Sequence, residues 1–144
     1  MACCPIEETW KADQSLLKEY LYWKLLVSVR QHTLGSCFLI LKRHAPHLGK
    51  LTDAEILNFN KVIKEIETAL EKAFMAEHTN YYMLANQEKH VSFHIIPRYP
   101  SSRKFAGREW VDVNYGRLPQ MTKDHFDSHL LNEIKKELLK HMPK

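Results

Sequence analysis

The sequence predicts an α+β domain: a mainly antiparallel sheet, one long packed helix and a C-terminal helix. Three observations point there. Ile56, Phe59, Ile63, Ile66, Leu70 and Phe74 recur at intervals of three and four, the period of a helix with one apolar face. Short runs rich in β-branched and aromatic residues flank that stretch, most of them joined by links of hairpin length. A second stripe, Leu130, Leu131, Ile134 and Leu138, recurs near the end of the chain. At 144 residues the chain fits one domain, able to bury roughly 70% of its unfolded surface.

Residues 1–13 read as an irregular arm, and Ser15–Tyr20 as a short helix that closes an N-terminal segment of residues 1–19. Leu21–Val29 reads as a strand, Gly35 as a turn, and Ser36–Lys42 as a second, almost wholly apolar and therefore buried strand. Thr52 and Glu55 fit a capping box that starts the helix Thr52–Phe74. Tyr81–Ala85 and His90–Arg98 read as strands. Pro97 has no N–H to give a ladder, so the second should stop there or lie at an edge. Tyr99–Gln120, with Pro100, Gly107, Gly116 and Pro119, reads as loop-rich. The body of the domain thus spans 20–120, and 121–144 carries the last helix, from about Lys123 to His141.

Composition narrows the function classes. Apolar residues make up 44% and charged residues 26%, which excludes a disordered chain or a disulfide-dense miniprotein. No apolar run is long enough to span a bilayer, and the first residues lack the features of a signal peptide, so no membrane partner is expected. With three cysteines, one inside an apolar run, the simplest expectation is a reducing, cytoplasmic setting. Residues 1–88 carry 10 basic and 11 acidic side chains, whereas 89–144 carry 11 and 6. Lys89, Arg98, Arg103, Lys104 and Arg108 fall in one window without an acidic residue. That window suits a phosphate ester and equally a solvated basic loop. Nucleic acid is not expected, because the excess is small and no binding motif accompanies it.

The segment with chemistry is His90-Val91-Ser92-Phe93-His94-Ile95-Ile96-Pro97-Arg98-Tyr99. Alternate strand side chains share a face, with neighbours ~6.6 Å apart at about 3.3 Å per residue. His90, Ser92 and His94 would then line one surface, and Val91, Phe93 and Ile95 the core side. Two such histidines can be plain surface residues, metal ligands, or groups that bind a phosphate. No acidic residue or cysteine follows at ligand spacing, so no metal is expected from this pattern.

This segment resembles the signature of the histidine triad (HIT) superfamily, three histidines alternating with apolar residues. Tyr22-Trp23 through Gly35, Leu39–His44, Leu51–Glu55, Asn80–Gln87 and Phe105–Trp110 resemble the flanking stretches of bacterial members in order and spacing. The resemblance covers roughly 20–120 and implies a two-layer HIT-like fold, usually paired as a homodimer. It also implies nucleotidyl hydrolysis or transfer on dinucleoside polyphosphates, nucleoside phosphoramidates or nucleotide sugars, without a cofactor. In such proteins the middle triad residue attacks phosphorus, so His90, Ser92 and His94 take the catalytic positions. Asn86, Gln87 and Arg98 become candidate phosphate-binding residues, and Ser28 stands near the place of a ribose-binding Asp or Asn. His44 matches a histidine common in the family and is read as structural. Cys3 and Cys4, being adjacent, lack the spacing of the zinc-binding cysteines of some members and are read as part of a flexible arm.

The middle position departs from the pattern: it is Ser92. A neutral imidazole is nucleophilic at pH 7, whereas a serine hydroxyl needs an adjacent base. Serine is also shorter, and ~1 Å of misplacement can cost about 10²-fold. A nucleotidyl-serine would be an ordinary phosphodiester, far harder to hydrolyse than a nucleotidyl-imidazole. The expectation is a protein that binds a nucleotide or phosphorylated small molecule, with turnover lost or weak. Two alternatives stay open. One is an active hydrolase or transferase that uses Ser92, or water with His94 as acid and base. The other is a dimeric interaction module with a vestigial pocket.

Overall fold

The computed structural model describes residues 4–144. Five antiparallel strands form one sheet in the order β1-β2-β3-β5-β4: β1 (Leu16–Glu19), β2 (Trp23–Val27), β3 (Cys37–Leu41), β4 (His78–Tyr82) and β5 (Ser92–Arg98). Short helices α1 (Ile6–Thr9) and α2 (Ala12–Ser15) precede it, α3 (Asp53–Phe74) links β3 to β4, and α4 (Ser128–Leu139) follows. The predicted α+β class, with its mainly antiparallel sheet, long helix and C-terminal helix, is what the chain adopts.

Alternation along the strands sorts their side chains into two cores. Trp23, Leu25, Leu39, Leu41 and Ile95 join Val62, Ile66 and Leu70 of α3 and Ile134 and Leu138 of α4. Leu26, Phe38 and Ile40 face the other way and are covered by Ile6, Trp10 and Ala12 of the N-terminal arm. The capping box forms as expected: Glu55 N–H donates to Thr52 Oγ1 at 3.1 Å and Thr52 N–H to Glu55 Oε1 at 2.8 Å. The buried stripe of α3 is rotated from the predicted one, taking in Val62 and Ala69 and leaving Ile56 51% exposed. At Gly35 (φ 87°) a Cβ would lie 2.9 Å from Leu70 Cδ2, so the turn between β2 and β3 needs glycine for both conformation and space.

Two predicted elements are corrected, and of the two outcomes expected at Pro97 the open edge is the one that occurs. Ser15–Tyr20 is not a helix: Leu16–Glu19 pairs with β2, through a bulge between Leu16 and Lys18. So short a helix has little stability of its own, while pairing buries Leu17 and lets Lys18 Nζ and Tyr20 OH both donate to Glu65. Pro97 does not end its strand. β3 pairs with residues 92–95 only, so at Pro97 the β3 side of β5 is already open, and β4 alone continues the ladder. The loop-rich stretch holds a hairpin, β6 (Arg103–Phe105) and β7 (Arg108–Trp110). Its two-residue turn places Ala106 and Gly107 at positive φ (53° and 74°), a conformation Gly107 advertises and Ala106 conceals.

Candidate active site

β5 starts at Ser92, which splits the predicted trio. Ser92 and His94 point to the sheet face opposite α3, across from Ile40 and Phe38 of β3. There they line a cavity of about 150 Å³ with Asn86, Gln87 and Glu88 of the β4–β5 loop, Phe38, Arg30 and Trp10. His90 precedes the strand and turns away from that cavity. Its Nε2–H donates to the Leu41 carbonyl at 2.7 Å, which leaves Nδ1 as an acceptor facing Cys4 Sγ and His44 Nδ1, each 3.3 Å away.

Among the described residues no base lies at the Ser92 hydroxyl. Oγ donates to the carbonyl of His90 at 3.2 Å, within its own strand. His94 is held neutral at pH 7: burial first, then the nearby Arg30 guanidinium, bring its pKa down to about 4. Its Nδ1 is buried without a hydrogen-bond partner among the described residues.

Sequence reasoning missed His32, whose ring lies 5.7 Å from that of His94 and nearly perpendicular to it. Thr122 N–H donates to His32 Nδ1 at 2.9 Å, so the neutral ring carries its proton on Nε2. That Nε2 and Arg30 Nε have no partner among the described residues either. His32 too is brought down to about 4, by burial, by His94 and by Arg30. Arg30 and His32 follow β2 with no motif around them, and only the fold brings them to β5.

Two predicted binding residues do not face the cavity. Ser28 is buried, and its Oγ accepts the Arg30 backbone N–H at 3.0 Å, closing the turn. Arg98 is 2% exposed, and all five of its N–H donors are spent inside the protein. Nε and Nη2 hold Asp112 at 2.7 and 3.1 Å, Nη1 reaches Asn80 Oδ1 and the Arg117 carbonyl, and Nη2 also reaches the Asn114 carbonyl. None remains for a phosphate. Asn86 and Gln87 do line the cavity. A larger cleft of about 550 Å³ lies between α2 and α4, without Ser92 or His94. Chemistry, not volume, marks the smaller one as the candidate site.

Cys4 is not part of a free arm. Its Sγ lies 3.3 Å from His90 Nδ1 and 4.0 Å from His44 Nδ1, while Cys3 falls outside the described residues. Donor atoms around a tetrahedral zinc are about 3.3–3.8 Å apart, given bond lengths of about 2.0–2.3 Å. Two of the three separations, both 3.3 Å and both to His90 Nδ1, match that spacing, while Cys4 Sγ and His44 Nδ1 at 4.0 Å would have to close by a few tenths of an ångström; the Nε2–H bond of His90 to a carbonyl is the usual support of a ligating imidazole. They therefore fit a zinc ion with one further ligand.

The fold and the His90–His94 segment point to the histidine triad class of proteins. The HIT domain family model matches residues 19–101, and the chain belongs to that family. An uncharacterised HIT-like protein of Methanocaldococcus jannaschii is 27% identical over 105 residues, which cover 70% of this chain and 73% of that protein. The diadenosine triphosphate hydrolase of Plasmodium falciparum superposes with a TM-score of 0.65 at 14% identity, over 88% of this chain and 75% of that one. A Zn-bound histidine triad family protein of Mycobacterium smegmatis superposes with a TM-score of 0.61 at 14% identity, over 96% and 94%. At that identity the two structures share the fold. No described helix is long and apolar enough to cross a membrane.

Proposed function

We propose that this protein binds a nucleotide or phosphorylated small molecule at the Ser92–His94 cavity, and that nucleophilic turnover is lost or weak. The observation that carries the reading is Ser92 Oγ bonded to a backbone carbonyl, with no base to activate it. Of the two catalytic alternatives, an activated Ser92 lacks its base, and direct attack by water would rest on a neutral His94. Asn86, Gln87, Arg30 and His94 supply polar atoms around the cavity wall. The ligand belongs to the class of phosphate esters, and a homodimer is expected by family likeness. The test is hydrolysis of diadenosine tetraphosphate and adenosine phosphoramidate by the protein and by Ser92→His. The chain as it stands should be inert, and S92H should turn over at least about 10²-fold faster. Comparable turnover by both proteins would overturn the reading and demand another nucleophile.

A second reading concerns a metal. The spacing of Cys4, His44 and His90 supports zinc, which would tie the arm to the first triad position as a structural clamp. Protein purified with zinc and then dialysed should retain about one ion per chain, and Cys4→Ser should lose it. Retention of zinc by Cys4→Ser would remove this reading.

A further inference from the structure

Trp10 forms one wall of the candidate phosphate cavity, beside His94. It is 4% exposed. Its indole stacks on Phe38 at a centroid distance of 3.8 Å and an interplanar angle of 12°. The Arg30 guanidinium lies over the same indole, 4.9 Å from its centroid, and Phe38 leaves it only the opposite face. An edge-on contact at 5.4 Å brings the indole against His94. Aromatic and guanidinium planes are the surfaces on which nucleobases stack. The chain has built that sandwich around one of its own side chains, one ring away from the group that would meet a phosphate.

The arm that carries Trp10 is latched twice in the turn that precedes it. Glu7 pairs with Lys24 at 2.7 Å, and Thr9 Oγ1 donates to Glu88 Oε1 at 3.0 Å, fastening the arm to the cavity's own loop. That bond also engages the Glu88 carboxylate at the cavity wall. The space left is about 150 Å³. Sites that enclose an organic ligand usually offer about 300–1,000 Å³. A phosphoryl group with a short polar tail fits the remainder, and a nucleoside does not.

We infer that Trp10 is a specificity-determining residue: it fills the stacking slot, so the folded site selects small phosphoryl compounds that lack a planar base. A nucleotide is accommodated only when the indole leaves. The inference rests on the phosphate-binding reading of the cavity.

The test isolates the base by comparing AMP with ribose 5-phosphate, with inorganic phosphate as reference, by titration calorimetry. The protein should bind AMP no more tightly than ribose 5-phosphate. Trp10→Ala should bind AMP at least about tenfold more tightly than ribose 5-phosphate, since an open stacking surface favours a base. Trp10→Leu serves as a second variant that keeps the arm's apolar contact, and circular dichroism reports whether each variant folds. A measurement on the unmutated chain completes the test. With 5-fluorotryptophan at positions 10, 23 and 110, the fluorine resonance of Trp10 should shift with AMP and hold still with ribose 5-phosphate. A tenfold AMP preference in the unmutated protein with an unmoved Trp10 resonance overturns the inference and leaves the phosphate reading standing. So does a folded variant with no AMP preference that still binds ribose 5-phosphate. If none of the three compounds binds any of the proteins, the phosphate reading fails, and the inference with it.

Discussion

The two faces of the one sheet are covered by unlike layers. On the α3 side, Val62, Ile66, Ala69 and Leu70 are fully buried against strand side chains that are almost all hydrocarbon. On the arm side a smaller apolar cluster gives way to Ser92, His94, His32 and Arg30, three of which hold a buried nitrogen without a partner among the described residues. Orphaned buried donors and acceptors each cost about 1–3 kcal/mol. One face is thus built to hold the fold together, and the other leaves polar atoms without a partner among the described residues. The hydrocarbon core and the candidate site are separated by the pleat of a single strand: Phe93 and Ile95 go one way, Ser92 and His94 the other.

That contrast can be broken from either side. The largest expected effect lies on the α3 face. Ile66→Ala should lower global stability by about 2–5 kcal/mol in urea unfolding, as for other fully buried large-to-small changes. Ile6→Ala, in the arm cluster, should cost clearly less globally, and faster amide exchange should be confined to the arm. Equal global losses would mean that the arm is as integral as the helix. A smaller effect comes from pH. His94 and His32 sit near 4 in the fold and near 6.5 when unfolded, so between those values the unfolded chain binds more protons. Stability is therefore fully present above about pH 6.5 and falls as pH drops towards 4. The carboxylates held low by partners, Glu55 by Arg43 above all, begin to matter only below their ordinary range near 4.5. A double His32→Gln, His94→Gln variant should flatten the upper part of the pH-stability curve and leave the acid limb unchanged. An unaltered curve would remove these two rings as its source.

Much of the α3 face is legible in the sequence because it obeys period. The recurrence from Phe59 to Phe74, the Thr52–Glu55 cap and the alternation around Phe93 are local patterns. The local rule fails only in detail, as at Ile56, which the rotated stripe turns outward while Glu55 beside it is buried under Arg43 and Trp23. The site is legible only where it is strand-local, at Ser92 and His94, or carried by family likeness, at Asn86 and Gln87. Arg98 misleads because a basic residue beside a triad looks like a phosphate ligand. Its partner Asp112 lies in an irregular segment whose path no period predicts. Trp10, Arg30 and His32 are invisible for a related reason: they come from two separate stretches of chain, the N-terminal arm and the turn after β2, and only the tertiary packing brings them to His94.

The five spent donors of Arg98 have a consequence for the order of assembly. Residues 112–117 have no helix or ladder of their own, yet Asp112, Asn114 and Arg117 are all held by that one guanidinium. Their shape is borrowed from β5. Closing a loop by a contact 14–19 residues distant gains nothing until the anchor is in place. This segment therefore crystallises late on the folding path, after β4 and β5 have paired, and melts first when that end of β5 is disturbed.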